Sequence, residues 1–98
     1  MSIEVTMRHE VKLGKPVQEF AQGKAEELKE MFEAVEHVQV VVGMDGPLFA
    51  VDIKVQGGRG MNAEARDKNA DGRTAITGAF GKVEVQLRKK LKKSNEKR

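Results

Sequence analysis

The chain has 98 residues, a length that suits one domain with its own hydrophobic core, and a formal net charge of +3. The absence of cysteine excludes disulfides and thiolate metal sites, and four Phe with no Tyr or Trp argue against single-strand recognition by aromatic stacking. No apolar run reaches the roughly 18 residues of a membrane span and no signal peptide is recognisable, so we expect a soluble cytoplasmic protein with no membrane partner.

Hydrophobic periodicity divides the first half of the chain into a strand, a helix and a second strand. Residues 2–8 alternate between apolar and polar side chains, as in a half-buried strand. Pro16 suits the first turn of a helix, and apolar residues then recur at helical spacing as far as Val35. Residues 37–43 predict the second strand, and the MDGP segment at 44–47 is typical of a hairpin turn.

The second half predicts two more strands and a long helix. Residues 48–56 alternate again, and the glycine-rich GGRG segment that follows turns the chain. A fourth strand is predicted at 61–65, with its apolar residues facing inward. A loop at 67–72 then leads into a helix that starts near Arg73.

The element order β-α-β-β-β-α predicts an α+β fold. Tight turns between the last three strands require them to be antiparallel, and each helix has a single apolar stripe, so both helices should pack on one face of a four-stranded sheet. The apolar spacing fades after residue 92. We therefore expect one domain at 1–92 and a basic, frayed tail at 93–98.

Charge is distributed unevenly along the chain. Eight of the 18 Lys and Arg residues lie at 82–98, against two of the 15 Asp and Glu residues, so this segment carries +6 and the rest carries −3. On a helix that turns about 100° per residue most of these cations face away from the core, but Lys90 falls in the core sector, which indicates that the helix has passed the sheet by then. So many cations exceed what a helix dipole needs and repel one another without a polyanion. Charge alone favours a nucleic-acid or phosphate partner over a solubilising tail, an acidic protein or a membrane surface.

The segment DKNADG matches the first half of a calcium-binding loop, with Asp67, Asn69 and Asp71 at ligand positions. Gly78 stands where the loop needs a bidentate Glu, and a strand rather than a helix precedes the segment. The same residues suit a turn from strand to helix with Asp71 as the N-cap. We therefore predict a plain turn here, and no metal or cofactor site.

No catalytic constellation is recognisable in the sequence. The few Ser and Thr residues lack a neighbouring general base, and the glycine pairs close hairpins rather than open a helix as a phosphate loop does. Of the two histidines, His37 opens a strand and should be structural, whereas His9 sits in a polar loop beside Arg8 and is either a phosphate contact or solvated. We predict a protein that is not an enzyme and has no small-molecule substrate.

Five short segments carry a resemblance to a known family. They are VTMRH near the start, VQEF, HVQVVV, VQGG before AEA, and finally AI followed by QLRK. Their order over residues 3–92 resembles the hibernation-promoting factor family of ribosome-associated inhibitors, also called ribosomal subunit interface proteins. The resemblance implies two helices on a four-stranded sheet and binding of small-subunit ribosomal RNA in the channel for messenger and transfer RNA. It further implies silencing of translation in stationary or stressed cells, and a short form of the family that is a monomer when free.

The resemblance also implies which residues face RNA. By position, they are Arg8, His9, Lys24, Lys82, Arg88 and Lys89, with Lys92 and Lys93 extending the stripe. Cations on a rigid helix suit folded RNA, which is recognised through phosphate and shape. The first helix departs from the family at Gly23, Glu27 and Glu30, where lysines are common. In the last helix Arg73 and Val85 replace an aromatic residue and an arginine, which bears on the affinity more than on the fold.

Two other functions fit parts of the pattern. A double-stranded RNA-binding domain shares the α-β-β-β-α order, but its lysines cluster at the start of the last helix rather than at its end. The other is a protein-interaction module whose basic end docks on an acidic partner. Preference for ribosomes over bare duplex RNA, and loss of binding after nuclease treatment, distinguish these alternatives from the ribosomal one.

Overall fold

A computed structural model describes residues 2–8, 11 and 14–96, with the backbone alone at 93–96. The elements are strand β1 Ser2–Met7, helix α1 Lys15–Met31, strand β2 Val35–Asp45, strand β3 Leu48–Gly57, a 3-10 turn Gly58–Gly60, strand β4 Ala63–Asn69 and helix α2 Gly72–Glu96. The strands form one sheet in the order β1-β2-β3-β4. The predicted α+β fold with the order β-α-β-β-β-α is confirmed.

The connections between strands explain the mixed sheet. β1 pairs parallel to β2, as a helical crossover through α1 allows, whereas β2, β3 and β4 are antiparallel. The hairpin between β2 and β3 turns at Gly46, whose φ of 59° lies in the left-handed region that glycine adopts without strain. Gly60, with a φ of 75°, has the same role before β4.

Both helices cover the same face of the sheet. Alternate residues of the two central strands form the floor of the core and are at most 1% exposed: Val38, Val40, Val42, Val51, Ile53 and Val55. α1 lies against β1 and β2, and α2 lies against β3 and β4. Leu28 of α1 and Val83 and Leu87 of α2 are buried against this floor. The opposite face, here called the open face, is polar and carries residues such as Gln39, Lys54 and Arg66.

The two helices run in the same direction. The guanidinium carbon of Arg73, near the start of α2, lies 5.5 Å from the ring centroid of Phe20 in the first half of α1. That of Arg88, near the other end of α2, lies 5.9 Å from the ring of Phe32, which follows α1. Cation–π contacts therefore join the helices at both ends of their shared length.

The predicted end of the first helix is wrong. α1 ends at Met31, where the backbone N–H of Phe32 still bonds to the carbonyl of Leu28 at 3.0 Å, and Val35 belongs to β2. Apolar residues at 32 and 35 continue the helical spacing, but Val35 is buried as the first strand residue, opposite Gly57. A Cβ on Gly57 would overlap the neighbouring backbone, so the chain passes there at a distance that only glycine permits.

The first half of the predicted loop at 67–72 is also strand. Residues 67–69 continue β4 and pair with Val51, Ala50 and Phe49 of β3, and only residues 70 and 71 separate β4 from α2. Polar residues are tolerated here because β4 is an edge strand, whose outward side chains meet solvent.

Helix α2 extends beyond residue 92, where the sequence predicted the end of the domain. It has 25 residues and its backbone is helical to Glu96, four positions beyond residue 92. Fraying of the tail stays a prediction, and residues 97 and 98 lie outside the described part of the chain. In the described ranges, neither helix combines the length and apolar character that crossing a membrane requires.

Candidate nucleic-acid interface

Helix α2 begins at a side-chain cap. The carboxylate of Asp71 accepts hydrogen bonds from the backbone N–H of Thr74 at 2.9 Å and from its hydroxyl at 2.7 Å. These two hydrogen bonds hold the pKa of Asp71 below its ordinary value. The amide oxygen of Asn69 in turn accepts from the backbone N–H of Asp71 at 2.9 Å. The predicted N-cap is confirmed, and it fixes the start of the helix.

The residues of the calcium alternative are engaged elsewhere. Asp71 caps α2, and Asn69 bonds to the backbone of Asp71. One carboxylate oxygen of Asp67 accepts from the backbone N–H of Lys68 at 3.0 Å and lies 3.5 Å from the ammonium of Lys82. Asp67, Asn69 and Asp71 thus each bond to a different group of the protein, rather than pointing together at one position as calcium ligands do.

Two cations of α2 point into solvent. Lys89 and Lys92 are exposed, whereas Val83 and Leu87 on the other side of the same helix are buried. Within the part of the chain that the structure describes, Lys89 and Lys92 form no ion pair. Because both side chains are exposed, an anion can reach them from solvent.

Lys82 is held at the edge of the sheet rather than free. Its ammonium donates to the carbonyl of Arg66 at 2.8 Å and lies 3.5 Å from a carboxylate oxygen of Asp67. Gly78, one turn earlier on α2, makes room for Asp67, because a Cβ there would overlap its other carboxylate oxygen. The Lys82 side chain is still 55% exposed, so a second anion can reach it.

Arg88 is also paired within the protein. Its guanidinium contacts the carboxylate of Glu84, one turn earlier, at 2.9 Å and lies over the ring of Phe32. With 62% of the Arg88 side chain exposed, this pair contributes little to stability and leaves much of the side chain accessible from solvent.

The predicted position of Lys90 needs a correction. Its ammonium donates to the backbone carbonyl of Asn62, just before β4, and the side chain is exposed. The helix has therefore not left the sheet at this point. A long lysine side chain can start from a position that faces the core and still carry its ammonium to a carbonyl at the edge of the sheet.

Lys24 and Arg73 share one aromatic ring. The ammonium of Lys24 lies 5.6 Å from the ring centroid of Phe20, and the guanidinium carbon of Arg73 lies 5.5 Å from it. The structure thus places Lys24 beside the start of α2, at the opposite end of the helix from Lys89.

Arg8 lies on the open face and is separated from α2 by the sheet. It follows β1, its backbone N–H bonds to the carbonyl of Val42 at 2.9 Å, and its side chain lies over Gly43. His9 lies outside the described residues, as does the side chain of Lys93. The structure therefore does not bring Arg8 together with the cations of α2.

Two ion pairs lie on the open face. The guanidinium of Arg66 lies 2.5 Å from Asp52, directly opposite it on β3, and the ammonium of Lys68 contacts Asp45. The Lys68 ammonium holds the pKa of Asp45 below its ordinary value, and Asp52 raises the pKa of Arg66. Two of the basic residues nearest to Arg8 are thus already paired with carboxylates.

The sequence analysis did not predict that two carboxylates, Asp67 and Glu84, contact cations of α2. The Glu84–Arg88 pair could have been found from the i,i+4 spacing on a helix. The contact between Asp67 and Lys82 joins a strand to a helix 15 residues later, and no local pattern indicates it.

The fold and this surface define a small α+β protein with one strongly basic helix. The family model described as Sigma 54 modulation protein / S30EA ribosomal protein matches residues 3–95, so the chain belongs to that family. This confirms the resemblance seen in the sequence. A comparison with curated protein sequences finds no match.

Solved structures share the fold. A ribosomal subunit interface protein from Coxiella burnetii superimposes with a TM-score of 0.79 at 19% identity, over 91% of this chain and 96% of the other. The N-terminal domain of Protein Y from Thermus thermophilus gives a TM-score of 0.76 at 21% identity, over 91% of this chain and 98% of the other.

Proposed function

We propose that this protein is a ribosome-associated translation inhibitor that binds small-subunit ribosomal RNA in the channel for messenger and transfer RNA. The description of its family includes the S30EA ribosomal protein, and a solved structure with the same fold is a ribosomal subunit interface protein. The observation that carries the proposal is the pair of exposed ammonium groups of Lys89 and Lys92 on the outer side of α2. Lysines held on one helix contact phosphates without reading base sequence.

The proposed mechanism is occupation of the channel. From Lys82 to Lys92, α2 presents its cations over roughly 15 Å of helix axis, long enough to contact several phosphates. A protein docked there excludes messenger and transfer RNA by volume. In this proposal it catalyses no reaction, needs no cofactor or small-molecule substrate, and acts in the cytoplasm as a monomer when free.

The charge distribution determines which face meets RNA. Exposed glutamates on the outer side of α1, at positions 26, 27 and 30, repel phosphate, and on the open face Arg66 and Lys68 are paired with carboxylates. The outer side of α2 is the remaining basic surface, and Lys24 and Arg73 extend it towards the start of the helices. Arg8 contributes only where RNA reaches around the sheet.

Co-sedimentation with purified small subunits tests the proposal. The double variant Lys89→Glu/Lys92→Glu should lose binding at least tenfold, because two phosphate contacts become repulsions, while its thermal melt stays close to wild type. Wild-type binding should weaken steeply with added salt and should be reduced by prebound messenger and transfer RNA. Full binding by the double variant would reject the assignment to α2.

A matched control separates local from overall charge. Lys54→Glu has the same charge change as Lys89→Glu but lies on the open face. The proposal requires Lys89→Glu to weaken ribosome binding more than Lys54→Glu does. Equal losses would mean that only net charge matters.

Binding experiments with the same purified small subunits also distinguish the two alternative functions. Equal affinity for bare duplex RNA and for small subunits would favour a double-stranded RNA-binding module. Binding that survives nuclease treatment and responds weakly to salt would favour an acidic protein partner. The ribosomal proposal expects preference for the intact small subunit and loss of the complex after nuclease digestion.

A further inference from the structure

We propose that Asp67 and Glu84 are built-in counterions that lower the RNA affinity of α2 by masking Lys82 and Arg88. The inference rests on the proposed function and concerns the same surface. Among the cations of α2 it distinguishes Lys82 and Arg88, which contact a carboxylate, from Lys89 and Lys92, for which the described residues show no ion pair. The affinity of the protein would thus be set below the maximum that its basic helix could reach.

The first masked cation is Lys82. Its ammonium lies 3.5 Å from Asp67, which stands on the edge strand β4 beside α2. Asp67 is only 28% exposed in its side chain and also accepts from the backbone N–H of Lys68, so it is held in place. Gly78 leaves the space that this carboxylate occupies. A phosphate that approaches Lys82 therefore meets a fixed negative charge.

The second masked cation is Arg88. Glu84 lies one helical turn earlier and contacts its guanidinium at 2.9 Å. An arginine that already shares its charge with a carboxylate releases fewer counterions when RNA binds. Because counterion release drives the association, such an arginine contributes less affinity than an unpaired one.

Each masked cation has a second, uncharged anchor. Lys82 also donates to the carbonyl of Arg66 at 2.8 Å, and Arg88 also lies over the ring of Phe32 at 5.9 Å. Neutralising Asp67 or Glu84 therefore removes the masking charge and leaves the cation near its present position. For this reason the two carboxylates are inferred to lower affinity rather than to position the cations for binding.

The test uses the isosteric variants Asp67→Asn and Glu84→Gln in the full chain. Each should bind purified small subunits roughly three- to tenfold more tightly at about 0.1 M salt, and the slope of log K against log salt should steepen by about 0.7–0.9. The matched control is Asp52→Asn, which removes a carboxylate from an ion pair on the open face and should change affinity much less.

A double-mutant cycle ties the effect to its cation. In a Lys82→Gln background, Asp67→Asn should give a clearly smaller gain than in wild type, because relief of the repulsion between Asp67 and phosphate remains but no cation is left to unmask. Unchanged or weaker binding by both Asp67→Asn and Glu84→Gln, with wild type still bound, would overturn the inference and leave the proposed function standing. Failure of the wild type to bind small subunits would overturn both.

Discussion

Helices α1 and α2 lie side by side on one face of the sheet, run in the same direction, and carry opposite charge. α1 has four Glu and three Lys, whereas α2 has seven Lys and Arg and two Glu. Both bury an apolar stripe in the same core. A helix in this layer therefore packs well with an acidic outer side, and the fold itself does not require the cations of α2. Their concentration on one helix needs a reason outside the protein, which a polyanionic partner supplies.

The two helices also differ in how they start. α1 begins after Gly14, which makes no side-chain capping bond, and Pro16 occupies its first turn. α2 begins at the carboxylate cap of Asp71. The cap fixes where α2 begins and the buried stripe fixes which side faces the sheet, so the outward direction of Lys89 and Lys92 is set before any partner binds.

The largest effect should come from truncating the buried side of either helix. Leu28→Ala in α1 and Leu87→Ala in α2 each remove a side chain that is at most 2% exposed, so each should lower the free energy of unfolding by about 2–5 kcal/mol in urea titrations. A loss well below 1 kcal/mol for Leu87→Ala alone would show that α2 is a loosely attached rod rather than an equal part of the core.

A smaller effect should follow loss of the α2 cap. Asp71→Ala removes both hydrogen bonds from Thr74 and should lower the thermal midpoint by a few degrees, whereas Asp71→Asn keeps a capping side chain and should change it less. α1 has no equivalent residue to lose. Identical melting of wild type and Asp71→Ala would show that the cap does not contribute to the start of α2.

The same residue predicts a pH dependence. The pKa of Asp71 is lowered in the folded state by its hydrogen bonds from Thr74, and that of Asp45 by Lys68. Each stabilising contribution is therefore fully present above the unfolded-state pKa near 4 and is lost as the pH falls through the lower folded-state pKa. Asp71→Asn should reduce the slope of thermal midpoint against pH below about pH 4, and an unchanged slope would contradict this assignment.

Periodicity predicted the element order, the single-sided helix layer and the outward position of Lys89 because these depend on residues close in sequence. It failed at Val35 and at 67–69, where burial and strand pairing override local spacing. In sequence, an edge strand with polar residues cannot be told from a loop. A valine placed shortly after a helix likewise looks like part of one more helical turn.

The candidate site could be predicted only in part. The stripe on α2 follows from helix geometry, and so does the Glu84–Arg88 pair. That Lys82 meets Asp67, and that Arg8 lies on the far side of the sheet, depend on how separate elements pack. Such contacts leave no periodic signal in one sequence.

Tethered cleavage tests the central claim most directly, because a chain without cysteine accepts a single probe site. Val85→Cys places an iron chelate on the outer side of α2, where Val85 is 52% exposed, and Lys54→Cys places the same probe on the open face. In complexes with small subunits, the probe at position 85 should cleave ribosomal RNA strongly in the decoding channel, and the probe at 54 only weakly. Stronger cleavage from position 54 than from position 85 would contradict the assignment of α2 as the RNA-binding surface.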